Sequence, residues 1–445
     1  MAMSGLEIFK LLPKTNCKEC GHPTCLAFAM ALAQKKVSLD DCPYASDEAK
    51  EKLAAAAAPP MQTVTFGTGD AACQVGGETV LFRHEEKFHR PTVLAVAVPD
   101  DLDESALKAR CETIRGFAFE RIGQPMPIEA AAVTNPSGDA SRFAAAAEAA
   151  GATGKAVILV TEDPDAAKAA LEKVGDAAPL LCCATAETVE AMGAAAAEAG
   201  CPVVARASDP ETLADLTDQL KQAGCDEIVL HLAAPDPWSE MTGLARMRNV
   251  ALRQSFRPLG HPVIAFADDG EPDEQAVRAS TLVCKYAGIV VVGTVEPWAL
   301  LPILTTRQNI FTDPQKPVQV EPKVHAVGDP DESSPLMFTT NFSLTYYTVE
   351  GDVEASRVPS WILCVDTEGT SVLTAYSGDK LSPESVAKAM QDADVESCVN
   401  HKKLIIPGYV AVMSGKLEEA SGWEILVGPR ESNQIPRYLK EVWKA

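Results

Sequence analysis

Eight short apolar runs, each followed by a helix-length amphipathic segment, constrain this chain more than any other feature. They are TVLAVAV from Thr92, IEAAAVT from Ile128, AVILVT from Ala156, PLLCCAT from Pro179, PVVARAS from Pro202, EIVLHLA from Glu227, PVIAFAD from Pro262 and IVVVGTV from Ile289. Runs that are apolar continuously, rather than at alternate positions, suit parallel strands covered on both faces. Eight such units between residues 92 and 313 predict a (β/α)8 barrel in preference to an open doubly wound sheet.

The strand ends carry Asp100, Asn135, Glu162, Asp209, Asp236, Asp268, Asp269 and Glu296, on the face where barrel enzymes place their chemistry. Asp163-Pro164, Asp209-Pro210 and Asp236-Pro237 instead have the form of helix caps, with proline in the first turn. No clustered Lys, His or Cys accompanies the carboxylates, so capping is the favoured reading. His231, inside a strand run, reads as a core histidine.

The barrel leaves both ends of the 445-residue chain to be explained. At the N-terminus, Cys17-Lys-Glu-Cys20-Gly-His-Pro-Thr-Cys25 gives C-x2-C-x4-C, and Cys42 precedes Pro43 further on. One tight loop supplies three thiolates and a returning helix from Leu26 supplies the fourth, the number an iron-sulfur cube needs. Structural zinc is the alternative, but it usually pairs two C-x2-C knuckles, and free thiols are a third reading. Lys18, Lys35 and Lys36 could offset a cluster's charge, and His22 need not be a ligand. A helix opened by the Ser4/Glu7 capping box stops at Pro13, and a further helix, SDEAKEKLAAAAA, ends at Pro59-Pro60.

Residues 59–91 read as a connector in which TVTFG and ETVLFR form a short hairpin. His84 and His89 there miss the spacing of a helical metal pair and read as solvated or interface residues. Residues 314–335 are proline-rich and read as a linker. Beyond it, residues 336–445 read as a small α/β domain. MFTTNFSLTYYTV, SWILCVDT, KLIIPGY and WEILVG are its expected strands; TSVLTAYS, SPESVAKAMQDA, VAVMSGKLEEA and PRYLKEVWK are its expected helices. Its strands run into glycine turns at Gly369, Gly408 and Gly428, where ligands of open α/β sheets lie and backbone N–H groups could approach closely. Many hydroxyls stand nearby: Thr339, Thr340, Ser343, Thr345, Thr370, Ser371 and Thr374.

Composition excludes more than it assigns. A net charge of -23 argues against nucleic acid as a partner. No apolar run is long enough for a membrane span, and the opening MAMSGLEIFKLLPK lacks signal-peptide order, so a cytoplasmic protein is expected. In that setting the thirteen cysteines are not a disulfide framework; the nine outside the N-terminal group read as buried structural thiols.

The NCKECGHPTCLAFAMALA segment with its later Cys-Pro, the eight-strand middle, and NFSLTYYTVEGDVE, DTEGTSVLTAYSG, IPGYVAVMSGKLEE and ILVGPRE together resemble the large (gamma) subunit family of corrinoid iron-sulfur proteins of the acetyl-CoA pathway. The resemblance covers essentially the whole chain. It implies a three-part α/β protein: a small N-terminal [4Fe-4S] helical domain at 1–58, a central TIM (β/α)8 barrel, and a C-terminal Rossmann-like corrinoid-binding domain. It implies a carrier that takes a methyl group from methyltetrahydrofolate through a methyltransferase and passes it to the nickel centre of acetyl-CoA synthase. The cluster would return Co(II) to Co(I), and a small subunit would complete a heterodimer.

By the same resemblance Cys17, Cys20, Cys25 and Cys42 would hold the cluster. The corrinoid would lie against Thr340, Thr345 and Tyr346; Thr370, Ser371, Val372, Leu373 and Thr374; Gly408, Ala411 and Gly415; and Gly428 and Asn433. Thr374 is the candidate beneath the cobalt. The D-x-H-x-x-G string of other cobalamin domains is missing: the nearest match, Lys323 to Gly328 around His325, lacks the aspartate, and His401 has no such context. A base-off cobamide without a histidine ligand is therefore expected. The competing reading is a catalytic barrel, a methyltransferase or redox enzyme fed by the cluster, with a nucleotide in the C-terminal domain.

Overall fold

The computed structural model describes residues 5–33, 37–46 and 59–443. The expected helix at SDEAKEKLAAAAA lies almost wholly outside them, as do Lys35 and Lys36. The chain divides into two compact units, one of residues 1–117 with 127–311 and one of residues 118–126 with 312–445.

In the first unit, β1 (Thr63–Phe66) pairs antiparallel with β2 (Cys73–Gly76). The hairpin expected here is present, but its second strand is CQVG; ETVLFR is irregular. Val64, Phe66, Cys73 and Val75 of the hairpin join the inward-facing barrel residues in one apolar core. The Gln62 amide donates to the Gly260 carbonyl and the Gly67 amide to the Ala178 carbonyl, both just before barrel strands. The hairpin thus plugs the barrel's N-terminal end.

All eight apolar runs are barrel strands: β3 (Val93–Pro99), β6 (Ala130–Thr134), β7 (Ala156–Val160), β8 (Leu180–Ala184), β9 (Val203–Ala207), β10 (Ile228–Leu232), β11 (Ile264–Ala267) and β12 (Ile289–Val292). They pair in parallel in the order β10-β9-β8-β7-β6-β3-β12-β11. A single parallel bridge, Leu230 to Val263, joins the two ends, so the barrel is nearly closed. Its interior layers are small and branched, for example Ala95, Ala132, Ile158, Val204 and Val229, as a filled barrel requires. Truncating Ile158 to alanine here would cost about 2–5 kcal/mol.

The proline-bearing caps form as read. Asp163 accepts from the Asp165 amide, Asp209 from Thr212, and Asp236 from Trp238 and Ser239. The scattered cysteines depart from the reading in three places. Cys182 and Cys183 are bonded to each other, Cys284 is exposed and Cys398 is only half-buried. Burial pushes the thiols of Cys73 and Cys364 up to about 12, which leaves them unreactive.

The second unit is built on a five-stranded sheet in the order β13-β15-β14-β16-β17. Here β14 (Leu336–Thr340), β15 (Ser360–Val365), β16 (Lys403–Ile406) and β17 (Glu424–Val427) run parallel. The edge strand β13 (Val324–Val327) is antiparallel to β15 and comes from the stretch read as a linker. A second correction concerns NFSLTYYTV: β14 ends at Thr340, and Ser343–Ser356 is a helix. Apolar cores cover both faces of the sheet. The unit also takes in the hairpin of β4 (Ala118–Arg121) and β5 (Gln124–Pro127), which the sequence did not suggest. A β-carbon on its Gly123 would overlap the Tyr347 hydroxyl. No helix among the described residues is long and apolar enough to cross a membrane.

Candidate functional site

Both candidate sites follow from where the chain turns. In the N-terminal region the backbone is left-handed at Asn16, Lys18 and Gly21, which folds the cysteine loop tightly back on itself. Asn16 fastens it to the start of the helix Cys25–Ala33: the Cys25 amide donates to Asn16 Oδ1 at 2.8 Å, and the Asn16 amide donates to Cys25 Sγ at 3.4 Å. Beyond Cys42, the Tyr44 hydroxyl donates to Glu19 at 3.0 Å, so the returning segment lies over the loop. Cys25 and Cys42 are buried in one apolar cluster with Ile8, Leu12 and Phe28, Cys20 packs against it, and Cys17 is exposed. The His22 ring packs at a tilt against Phe28, 5.6 Å between centroids.

Four thiols at the edge of an apolar cluster, three from one loop and the fourth from the returning segment, fit a cube that takes one thiolate at each of its four corners.

In the second unit the strand order doubles back between β14 and β16, the switch point at which open α/β sheets bind ligands. A cavity of about 440 Å³ opens there, lined from β14 by Met337, Phe338 and Thr339, from β16 by Ile405 and Ile406, and from the C-terminal helix Ile435–Glu441 by Tyr438 and Leu439. Of the residues expected to touch a corrinoid, Thr345, Ser371, Val372, Leu373 and Gly428 line it. Leu344, Leu373 and Tyr409 stand exposed around it, an apolar rim suited to the face of a large flat ring. The Thr339 hydroxyl is buried in the wall without a hydrogen-bond partner. An apolar cleft with an orphaned hydroxyl and an apolar rim fits a corrinoid.

The other expected residues do not line this cavity. Thr340 is buried on the opposite sheet face from Thr339, by strand alternation. The Tyr346 hydroxyl donates to Glu350 at 3.0 Å, and burial raises its pKa. Thr370 closes a turn through its hydroxyl to the Thr367 carbonyl. Thr374 is exposed, 3.1 Å from the Ser371 hydroxyl, and Gly415 and Asn433 are exposed beyond the rim. Ala411 lies in the short helix Gly408–Met413.

The turn glycines serve a different purpose from the one expected. The Gly408 amide donates to the Pro429 carbonyl and the Gly428 amide to the Ile406 carbonyl, so neither is free for a ligand. A β-carbon on Gly408 would stand 2.6 Å from the Gly428 carbonyl oxygen, so the glycines let two loops touch. Asn341, buried at the end of β14, carried no motif to reveal it. Its side-chain oxygen accepts from the amides of Thr367 and Gly369 and from the Thr367 hydroxyl, fixing the turn that leads to Ser371. An asparagine closing an apolar strand beside a glycine turn was the only available signal.

Histidines lie elsewhere. His325 is 2.9 Å from the Glu321 carbonyl and packs on Tyr346; His401 is 2.9 Å from the Ser334 carbonyl and packs on Trp443. At the C-terminal end of the barrel His231 is buried against Phe266, and desolvation, aided by Arg206 and Arg278, lowers its pKa to about 3. Glu162 pairs with Arg206, and Asp100 accepts from the amide and hydroxyl of Ser137.

A family model described as CO dehydrogenase/acetyl-CoA synthase delta subunit matches residues 63–439. A second model, "Putative Fe-S cluster", matches residues 12–44, which span all four cysteines. The corrinoid/iron-sulfur protein large subunit of Moorella thermoacetica is 45% identical over 441 residues, covering 99% of each chain. The chain belongs to the corrinoid/iron-sulfur protein large-subunit family. The acetyl-CoA decarbonylase/synthase complex subunit gamma of Methanopyrus kandleri is 38% identical over 99% of this chain and 98% of that one. The corresponding gamma subunit of Archaeoglobus fulgidus is 34% identical with the same coverage. Dihydropteroate synthase from Thermus thermophilus covers 56% of this chain and 100% of its own, at 19% identity and a TM-score of 0.40.

Proposed function

We propose that this chain carries methyl groups on a corrinoid held at the β14/β16 switch point, accepting them from methyltetrahydrofolate through a methyltransferase and delivering them to acetyl-CoA synthase. The observation that carries the reading is the apolar, rimmed cavity lined by Thr345, Ser371, Val372, Leu373 and Gly428, in a chain related along its full length to a corrinoid/iron-sulfur protein. When bound, the corrinoid supplies a methyl-accepting cobalt, and a cluster on Cys17, Cys20, Cys25 and Cys42 supplies one electron to restore its reduced state.

The protein's share is orientation and shielding. Asn341 holds the 367–369 turn, which sets Ser371 to Leu373 against one side of the ring. The paired Gly408 and Gly428 loops form the other side, with Tyr409 fastened to Glu431 at 2.5 Å. Thr374 would stand below the cobalt, and with His325 and His401 engaged elsewhere the cobamide would be base-off. The three parts at 1–58, 92–313 and 336–445 would act as cluster, barrel and Rossmann-like corrinoid domains in a cytoplasmic protein. The barrel is then a scaffold: Asp209 and Asp236 cap helices, Glu162 is paired with Arg206, and His231 is too weak a base for proton abstraction near neutral pH.

A small-subunit partner is supported by an apolar face on the barrel's outside. Trp238, Val277 and Trp298 are 69%, 70% and 57% exposed, and Val277 borders the clefts on both its sides. The experiment is transfer of labelled methyl from methyltetrahydrofolate with the methyltransferase added. Label retained in proportion to bound cobalt supports the carrier; release of a methylated product without retained label contradicts it.

A further inference from the structure

Among the described residues one hydrogen bond reaches a sulfur of the four-cysteine set: the Asn16 amide donates to Cys25 Sγ at 3.4 Å. It is held in place from the other side, because the Cys25 amide donates to Asn16 Oδ1 at 2.8 Å and so closes a ring between the two residues. The backbone at Asn16 is left-handed, with φ of +51°, a conformation that asparagine tolerates better than most side chains. Lys14 and Lys18 are left-handed as well, whereas Thr15 and Cys17 between them are not. Alternation of this kind gathers successive amides into an anion-binding nest. The acceptor lies on the buried side of the set: Cys25 is 7% exposed, and Cys17 is open to solvent.

Reduction adds one negative charge to a centre that already carries four thiolates, so an N–H aimed at one of the sulfurs stabilises the reduced form more than the oxidised one. The low dielectric around Cys25 strengthens that effect. We propose that Asn16 is a positioning residue that raises the reduction potential of the cluster, its side chain holding its own amide on the Cys25 sulfur. The proposal rests on the iron-sulfur reading of the four cysteines and adds to it a residue that tunes the cluster without ligating it. Without this bond the cluster would be harder to charge with its electron.

The test is a redox titration of the full holoprotein, followed by the EPR signal of the reduced cluster, for wild type, Asn16→Gly and Thr24→Ala. Glycine keeps the left-handed turn and removes the anchor, and because Asn16 is exposed the change disturbs no packing. Thr24 is the control: its hydroxyl accepts from the Ala27 amide at 3.1 Å, so its loss loosens the same helix start without touching a sulfur. With iron content unchanged, Asn16→Gly should disfavour reduction about 3- to 10-fold, the upper figure being about 59 mV for a one-electron couple. Thr24→Ala should stay within about 1.5-fold of wild type. An unchanged or raised potential in Asn16→Gly, or an equal fall in Thr24→Ala, would overturn the assignment. If Asn16→Gly assembles no cluster, the wild type decides alone: reconstitution in D2O should shift an Fe–S(Cys) stretching band in its Raman spectrum, and no shift would overturn the assignment too. Wild type that holds zinc in place of iron would instead bring down the iron-sulfur reading itself.

Discussion

The side-chain oxygen of Asn341 accepts a hydrogen bond from the Gly369 amide at 3.0 Å, joining the end of β14 to the turn after β15. Gly369 can sit there because its φ of +71° suits glycine and because Pro317 and Gln319 press on it, leaving no room for a side chain. Asn341→Ala would strand two buried amide donors, those of Thr367 and Gly369, at about 1–3 kcal/mol each before relaxation, while the Thr367 hydroxyl keeps the Thr370 carbonyl. The expected outcome is a less stable domain that loses its corrinoid on gel filtration, read from the visible spectrum before and after the column.

Gly408→Ala should act on the same site from the opposite loop. Its β-carbon would press on the Gly428 carbonyl and the Arg430 amide, so the loops must part. We expect about 1–3 kcal/mol of destabilisation, measured by denaturant unfolding, whereas Gly415→Ala, in open space on a helix, should be neutral or slightly stabilising.

Cys20→Ala should remove the cluster and leave methyl transfer from pre-reduced protein nearly intact. The check is iron content set beside transfer rates measured with and without chemical pre-reduction. Equal loss under both conditions would contradict a purely reductive role for the four-cysteine region.

Stability should fall on mild acidification. His231 and His261 are buried, and desolvation lowers both to about 3, with Arg206 and Arg278 adding to the effect at His231 and Lys221 at His261. The unfolded chain therefore binds protons that the folded chain does not, from about pH 6.5 downward. Each histidine's contribution is fully present above that pH and is lost as pH falls toward 3, by up to about 1.4 kcal/mol per pH unit. Urea unfolding at pH 7.5 and 5.5 would show the slope, and His261→Gln should flatten it.

Trp298→Glu, on the exposed barrel face beside Val277, should abolish co-purification with the small subunit while leaving the melting temperature of the isolated chain unchanged. Retained pairing would place the interface elsewhere.

The barrel was legible because its strands are buried on both faces and so spell unbroken apolar runs, and because Asp163, Asp209 and Asp236 announce their helices. The helix Ser343–Ser356 was not, since its threonines, tyrosines and valines favour strands and only packing of Tyr346 and Val353 into the core overrides them. Strand β13 hid in a proline-rich stretch because an edge strand needs few ladder bonds. The cysteine set and several cavity residues could be named from sequence, but the pairing of Gly408 with Gly428 and the reach of Asn341 join positions far apart in the chain.

The most direct test of the central claim is the metal content of the purified full chain. The purified protein should hold one cobalt and about four irons per chain, be red-brown, and give a Co(II) EPR spectrum without nitrogen superhyperfine splitting. Zinc in the cysteine region with no cobalt, or a flavin or nicotinamide in place of the corrinoid, would contradict it.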